Sequence, residues 1–158
     1  RKESSAASDV YKRQRENWPG KLVLKGVMHA EDARMAAAAG VDGVIVSNHG
    51  GRQLDGCISP LQALPDVVAA VPAGFPVMVD GGFRRGSDVL KAVALGASMV
   101  FTGRPQLFGA AVGGNAGIRK VAEIFRSEIS TNMALLGCRT LADVTPDLIA
   151  PVRAACAA

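Results

Sequence analysis

Val41-Asp42-Gly43-Val44-Ile45-Val46-Ser47-Asn48-His49-Gly50-Gly51-Arg52-Gln53-Leu54-Asp55 sets an apolar run against a loop that holds an imidazole and a guanidinium three residues apart. The run Val41 to Val46 reads as a strand, and the loop that it delivers reads as a site. A histidine exchanges a proton near neutral pH, and an arginine fork grips a carboxylate through two parallel hydrogen bonds. Together they suit a substrate that is both an acid and a proton donor, as a small organic acid is. Gly50 and Gly51 lack a Cβ, so the backbone can turn sharply and a flat ligand can approach the main chain. A polar turn that merely faces water is the alternative local chemistry leaves open.

On either side of this stretch the same rhythm repeats. Upstream, Leu22-Val23-Leu24 is a short apolar strand, and Ala30 to Ala39 is an Ala-rich helix with Glu31 and Asp32 in its first turn, where they complement the helix dipole. Gly40 stops it. Downstream, Ser59 and Pro60 open a second helix as N-cap and first helical residue, and Pro72-Ala73-Gly74 ends it. A third strand, Pro76 to Val79, delivers Asp80-Gly81-Gly82-Phe83-Arg84-Arg85-Gly86, after which Ser87 to Leu95 reads as a helix closed by Gly96. A fourth strand, Ser98 to Thr102, delivers Gly103-Arg104-Pro105. These strands are apolar throughout rather than at alternate positions, which predicts a parallel sheet buried on both faces. The fold class is α/β, with four βα units. Beyond Pro105, Gln106 to Val112 and Ile118 to Leu136 read as helices, Gly137 ends the second, and Thr140 and Thr145 cap two short helical segments.

Residues 1–14 are polar, without helical or strand period, and read as a non-native or disordered leader. Residues 15–150 form the domain, and 151–158 a tail. In the leader four cations (Arg1, Lys2, Lys12, Arg13) stand against two acids (Glu3, Asp9), which accounts for +2 of the formal charge of +4. No basic stripe with interleaved aromatics follows, which excludes nucleic acid as the main partner. Cys57, Cys138 and Cys156 are odd in number and widely spaced, which reads as reduced thiols without a metal. No apolar run approaches the roughly twenty residues that span a bilayer, and no signal-peptide profile opens the chain, so it reads as cytoplasmic.

The polar and glycine residues collect after the strands: Lys25-Gly26, then His49 and Arg52, then Asp80 to Gly86, then Gly103-Arg104. In a parallel α/β barrel that end carries the site, and the loops after the last two strands commonly hold a phosphate. Gly81, Gly82 and Gly86 offer backbone N–H groups at a helix start, and Arg84 and Arg104 supply charge, which together make an anion cradle. An ordinary glycine turn is the other reading of that loop. Lys25 either holds negative charge on a ligand or snorkels to water. His29, between a strand and a helix, reads as a surface residue or cap.

Taken together, Leu22-Val23-Leu24-Lys25-Gly26, Ser47 to Asp55, Asp80 to Ala92 and Gly103-Arg104 resemble the C-terminal half of the FMN-dependent 2-hydroxy acid dehydrogenases and oxidases. This family includes lactate and mandelate dehydrogenases, glycolate oxidase and flavocytochrome b2. The resemblance covers about Arg15 to Ile149. It implies the C-terminal half of a TIM (β/α)8 barrel followed by C-terminal helices, FMN as cofactor, and oxidation of a small L-2-hydroxy acid to the 2-oxo acid. By position it implies that His49 is the active-site base, that Arg52 binds the substrate carboxylate, and that Lys25 lies against the N1/C2 carbonyl edge of the flavin. Ser47 would touch the isoalloxazine, and Asp80, Gly81, Gly82, Arg84, Gly103 and Arg104 would hold the ribityl phosphate. Whether the proton leaves the hydroxyl or Cα stays open, as does the electron acceptor: oxygen, a quinone or a cytochrome.

Nothing in the chain corresponds to the family's N-terminal half, which supplies four strands, substrate-contacting tyrosines, flavin-ring contacts and the Asp that orients the catalytic His. The isolated chain is therefore expected to be inactive, and the full-length protein to be a homo-oligomer, with peripheral membrane association open. Two other readings remain from the residues: a phosphate-binding barrel isomerase or lyase with His49 as base, and a non-catalytic half-barrel remnant.

Overall fold

The computed structural model describes residues 5–150, so the first four residues of the leader and the tail 151–158 lie outside the described residues. Four strands, β1 (Val23–Val27), β2 (Gly43–Val46), β3 (Val77–Val79) and β4 (Met99–Val100), form one sheet in the order β1-β2-β3-β4, every pair parallel. Each strand is followed by a helix: α2 (Ala30–Ala38), α3 (Pro60–Ala70), α4 (Gly86–Ala94) and α5 (Arg104–Leu136). Sequential parallel strands with a helical crossover at every step are one arc of a (β/α)8 barrel.

Local chemistry sets the boundaries. Ser59 Oγ accepts from the Gln62 N–H while the Gln62 side chain accepts from the Ser59 N–H, a reciprocal capping box with Pro60 as first helical residue. His29 caps α2: its Nδ1 accepts from the Glu31 N–H at 3.2 Å, and its side chain is exposed, as expected. Val44, Val46, Val77 and Val79 point into the core with Leu64 and Val67 of α3, all essentially without solvent contact. Each such side chain contributes roughly 1.5–3 kcal/mol relative to exposure. A second cluster joins Leu90 and Ala94 of α4 to Cys138 and Val144, with Ile129 and Met133 of α5 packed against it.

Three expectations change. The leader was expected to hold no element, yet Ser5–Asn17 is a helix, α1, anchored by Arg15, whose Nη1 donates to Asp42 Oδ2 at 3.0 Å and whose other amino group donates to the Trp18 and Gly20 carbonyls. The sheet is not buried on both faces. Its helix-facing side is covered, but Val23 (41 %), Met99 (53 %) and Phe101 (41 %) are exposed on its edge strands and their margins. β1 runs on to Val27, so Lys25 sits within the strand rather than at its end. The two helices expected over 106–112 and 118–136 are both present as the two arms of α5, which breaks at Gly113 and Gly114 so that Gly109 packs against Gly117.

Candidate active site

The parallel register brings the C-terminal ends of all four strands to one edge. There a cleft of about 950 Å³ is lined by Lys25 from β1, His49, Arg52 and Gln53 from the loop after β2, Asp80 to Arg84 after β3, and Phe101 to Arg104 after β4. Nine of the ten residues singled out from the sequence line the cleft: Lys25, His49, Arg52, Asp80, Gly81, Gly82, Arg84, Gly103 and Arg104. Asp80 does so while paired with Lys25.

Lys25 Nζ donates to Ser47 Oγ at 2.9 Å and pairs with Asp80 Oδ2 at 3.0 Å, joining β1, β2 and β3 across the head of the sheet. Ser47 is 1 % exposed and does not line the cleft; its hydroxyl also accepts from the His49 N–H at 3.2 Å. The structure therefore places Ser47 beneath the cleft as a support for Lys25 and His49. Asp80 Oδ1 is buried and has no partner, whereas a buried carboxylate oxygen ordinarily accepts at least one hydrogen bond.

The loop after β2 is wound tightly. Asn48 Oδ1 accepts from the Gly50 N–H at 3.0 Å, and the Asn48 carbonyl accepts from the Gly51 N–H at 3.0 Å. His49 has φ of 56°, the one non-glycine residue of the described chain in the left-handed region. Such a conformation is uncommon outside glycine and is retained where surrounding structure holds it. It turns the imidazole out of the loop and into the cleft.

The anion cradle differs from the expectation in one member. Gly82 and Gly103 have open space where a side chain would project. The Arg84 and Arg104 side chains are exposed and have no ion pair among the described residues. Gly86, by contrast, is buried and donates its N–H to Glu128 Oε2 at 2.6 Å. The Arg84 and Arg85 N–H groups are likewise taken by Asp88 Oδ2. The start of α4 is thus closed to a ligand. The free helix N-terminus at the cleft is that of α5, beginning at Gly103-Arg104.

Sequence reasoning did not single out Phe101, Leu107 and Phe108, which give the cleft an apolar wall and are 41 %, 70 % and 63 % exposed. The signal was available: Leu107 and Phe108 follow Arg104 at helical spacing and share its face. Among the described residues no cluster of His, Cys, Asp and Glu could hold a metal ion, and no helix is long and apolar enough to cross a membrane.

A parallel βα arc whose strand ends bring an imidazole, a guanidinium fork, open glycine backbone and two unpaired arginines to one cleft is part of an α/β barrel. The profile of the FMN-dependent dehydrogenase family matches residues 2–151, and the chain belongs to that family. It is 55 % identical over 124 residues to a peroxisomal (S)-2-hydroxy-acid oxidase of Oryza sativa subsp. japonica, a match covering 78 % of this chain and 34 % of the relative. Against an L-lactate oxidase of Nostoc it is 51 % identical over 126 residues, 80 % of this chain and 34 % of that protein. The crystal structure of the monotopic membrane protein (S)-mandelate dehydrogenase superposes with a TM-score of 0.85 at 46 % identity, covering 89 % of this chain and 37 % of that one. The chain spans about a third of the length of these relatives.

Proposed function

We propose that the chain forms the cofactor-phosphate and base side of an enzyme that oxidises a small L-2-hydroxy acid to the 2-oxo acid with FMN. The observation that carries this is the convergence of His49, Arg52, the Lys25–Asp80 pair and the Arg84/Arg104 cradle on one cleft. The residues fit the cofactor. Two unpaired guanidinia, the start of α5 and the open backbone at Gly82 and Gly103 suit a phosphate. The orphaned Asp80 Oδ1 calls for a hydrogen-bond donor. A carboxylate repels a phosphate, so Asp80 is assigned to a hydroxyl of the ribityl chain instead, while its other oxygen holds Lys25.

FMN, when bound, supplies the two-electron acceptor. Arg52 binds the substrate carboxylate and thereby fixes which end of the acid reaches His49. His49 takes a proton from the substrate as general base, while oxidation of the 2-hydroxy acid removes two electrons and two protons in all. Lys25, held by Ser47 and Asp80, places a fixed positive charge against the ring edge where negative charge accumulates. Leu107, Phe108 and Phe101 exclude water from one side of the cleft. The substrate side chain is of the lactate, glycolate or mandelate type. We read the full-length protein as a cytoplasmic homo-oligomer, with peripheral membrane association the alternative.

The test is His49→Gln in the chain completed by a family N-terminal half. Stopped-flow reduction of the flavin by L-lactate, glycolate and L-mandelate is expected to fall by at least about 10²–10⁴ while FMN is retained. Reduction at wild-type speed would remove His49 from the chemistry.

A further inference from the structure

The His49 imidazole makes no hydrogen bond through its ring among the described residues, so within this chain its seating is set by packing. Directly against it lies Gly26. The pairing of β1 with β2 matches Lys25 to Ile45 and then Val27 to Val46, so the ladder shifts register at Gly26, whose φ is 100°. This bulge turns the Gly26 backbone toward the loop after β2. A Cβ built there would stand 2.8 Å from His49 Cε1 and 3.7 Å from each ring nitrogen.

From this contact we propose that Gly26 is a positioning residue for the base: its bare α-carbon is the wall on which the His49 imidazole is seated. Two neighbouring residues of one strand then serve two parts of the site. Lys25 reaches across to Ser47, whose hydroxyl holds the His49 N–H, and Gly26 fixes the ring that this backbone carries. Left-handed φ at His49 aims the side chain, and the missing side chain at Gly26 gives it room. Any larger residue at 26 either strains the pair or pushes the imidazole off its line to the substrate. The proposal rests on the reading of His49 as base only for its functional consequence; the contact itself stands apart from it.

Gly26→Ala alone would also strain the backbone, because φ of 100° disfavours any L side chain. A double-mutant cycle with His49→Asn separates the two effects, since Asn tolerates the left-handed region and removes Cε1. Urea unfolding of the 158-residue chain at fixed concentration gives the cycle. In parallel, carbethoxylation of His49 by diethyl pyrocarbonate is measured against the exposed His29 as internal reference. Gly26→Ala is expected either to destabilise the chain at least tenfold more in the His49 background than with His49→Asn, or, if the ring swings away, to speed modification of His49 at least tenfold. Coupling below twofold together with an unchanged His49/His29 rate ratio would overturn the proposal. In the completed, FMN-loaded barrel the same substitution should lower kcat at least tenfold with KM held within about twofold. If the cycle couples but His49→Gln leaves flavin reduction intact, the base assignment fails and the Gly26 contact stands.

Discussion

Gly86→Ala is the sharpest test of what the loop after β3 does, because the sequence places Gly86 in the phosphate cradle and the structure places it between two helices. A Cβ at Gly86 would lie 2.6 Å from Glu128 Cβ and 2.6 Å from the Ile129 nitrogen, both fixed parts of α5. Carbon contacts are optimal at about 3.5–4.0 Å, so α4 and α5 must separate by about 1 Å to admit one methyl group. Overpacking of this kind costs about 1–3 kcal/mol. Separation also stretches the 2.6 Å hydrogen bond from the Gly86 N–H to Glu128 Oε2, a charge-assisted bond worth about 1.5–3 kcal/mol. The two losses overlap, and a net destabilisation near 2 kcal/mol is expected, a factor of roughly 30 in the unfolding constant. Glu128→Ala keeps the Cβ and so gives no relief from the clash when combined with Gly86→Ala. Urea unfolding followed by circular dichroism at fixed protein concentration reads the stability, and flavin fluorescence of the completed barrel reads FMN affinity. A variant that unfolds at the wild-type midpoint but releases FMN would restore Gly86 to the cradle and refute the helix-packing assignment.

The remaining expectations divide by charge and by exposed surface. Arg52→Lys keeps the cation but loses the planar two-pronged match to a carboxylate, so substrate affinity and rate should both fall, whereas Arg84→Ala or Arg104→Ala should weaken FMN retention with little change in substrate preference; steady-state kinetics and flavin titration tell them apart. Asp42 carries a carboxyl lowered to about 2, chiefly by the Lys21 ammonium, with the Leu22 N–H and the Arg15 guanidinium adding to it. Its folded value lies below its ordinary 3.8, so the stability it contributes is full above that value and is lost as pH falls toward about 2; Asp42→Asn should flatten acid unfolding in that window, and an unchanged acid limb counts against the clasp. The 158-residue chain alone should retain little FMN, turn over no 2-hydroxy acid and self-associate, because β1 and β4 each keep an unpaired edge and Val23, Met99 and Phe101 remain exposed; size-exclusion chromatography with a flavin spectrum checks it, and a yellow active monomer contradicts it.

What the sequence made legible is whatever local chemistry decides. Apolar runs punctuated by Gly40, Gly96 and Gly137, and the Ser59-Pro60 helix start, mark the βα units because caps and breakers act within a few residues. The cleft's polar members are legible for the same reason: each lies in or shortly after an apolar run. Contacts between distant segments were not. Helix α1 lacks an apolar period but is rich in Ala, Lys, Arg and Gln, good helix formers, and Arg15 ties it to Asp42, 27 residues away. Gly86 resembles any glycine at a helix start until Glu128, 42 residues on, is seen to occupy the space in front of it. Ser47 differs from a ligand-contacting serine only by its burial under Lys25.

The charge of the cleft bears on which ligands can fill it together. Lys25, Arg52, Arg84 and Arg104 face it with one carboxylate, Asp80, which leaves three positive charges when His49 is neutral. A phosphate monoester carries about −1.5 to −2 at neutral pH, and a hydroxy acid carboxylate adds one more negative charge. The pair brings the cleft close to balance, where either ligand alone leaves it positive. Phosphate at the Arg84/Arg104 end and carboxylate at Arg52 therefore support the FMN-and-hydroxy-acid reading over a neutral or cationic substrate. Lys25, held by Asp80 at 3.0 Å, presents a fixed charge to the ring edge rather than a third anion site. That distinction separates its proposed role at the ring edge from those of the three arginines, and Lys25→Ala should accordingly change the flavin reduction potential more than FMN affinity.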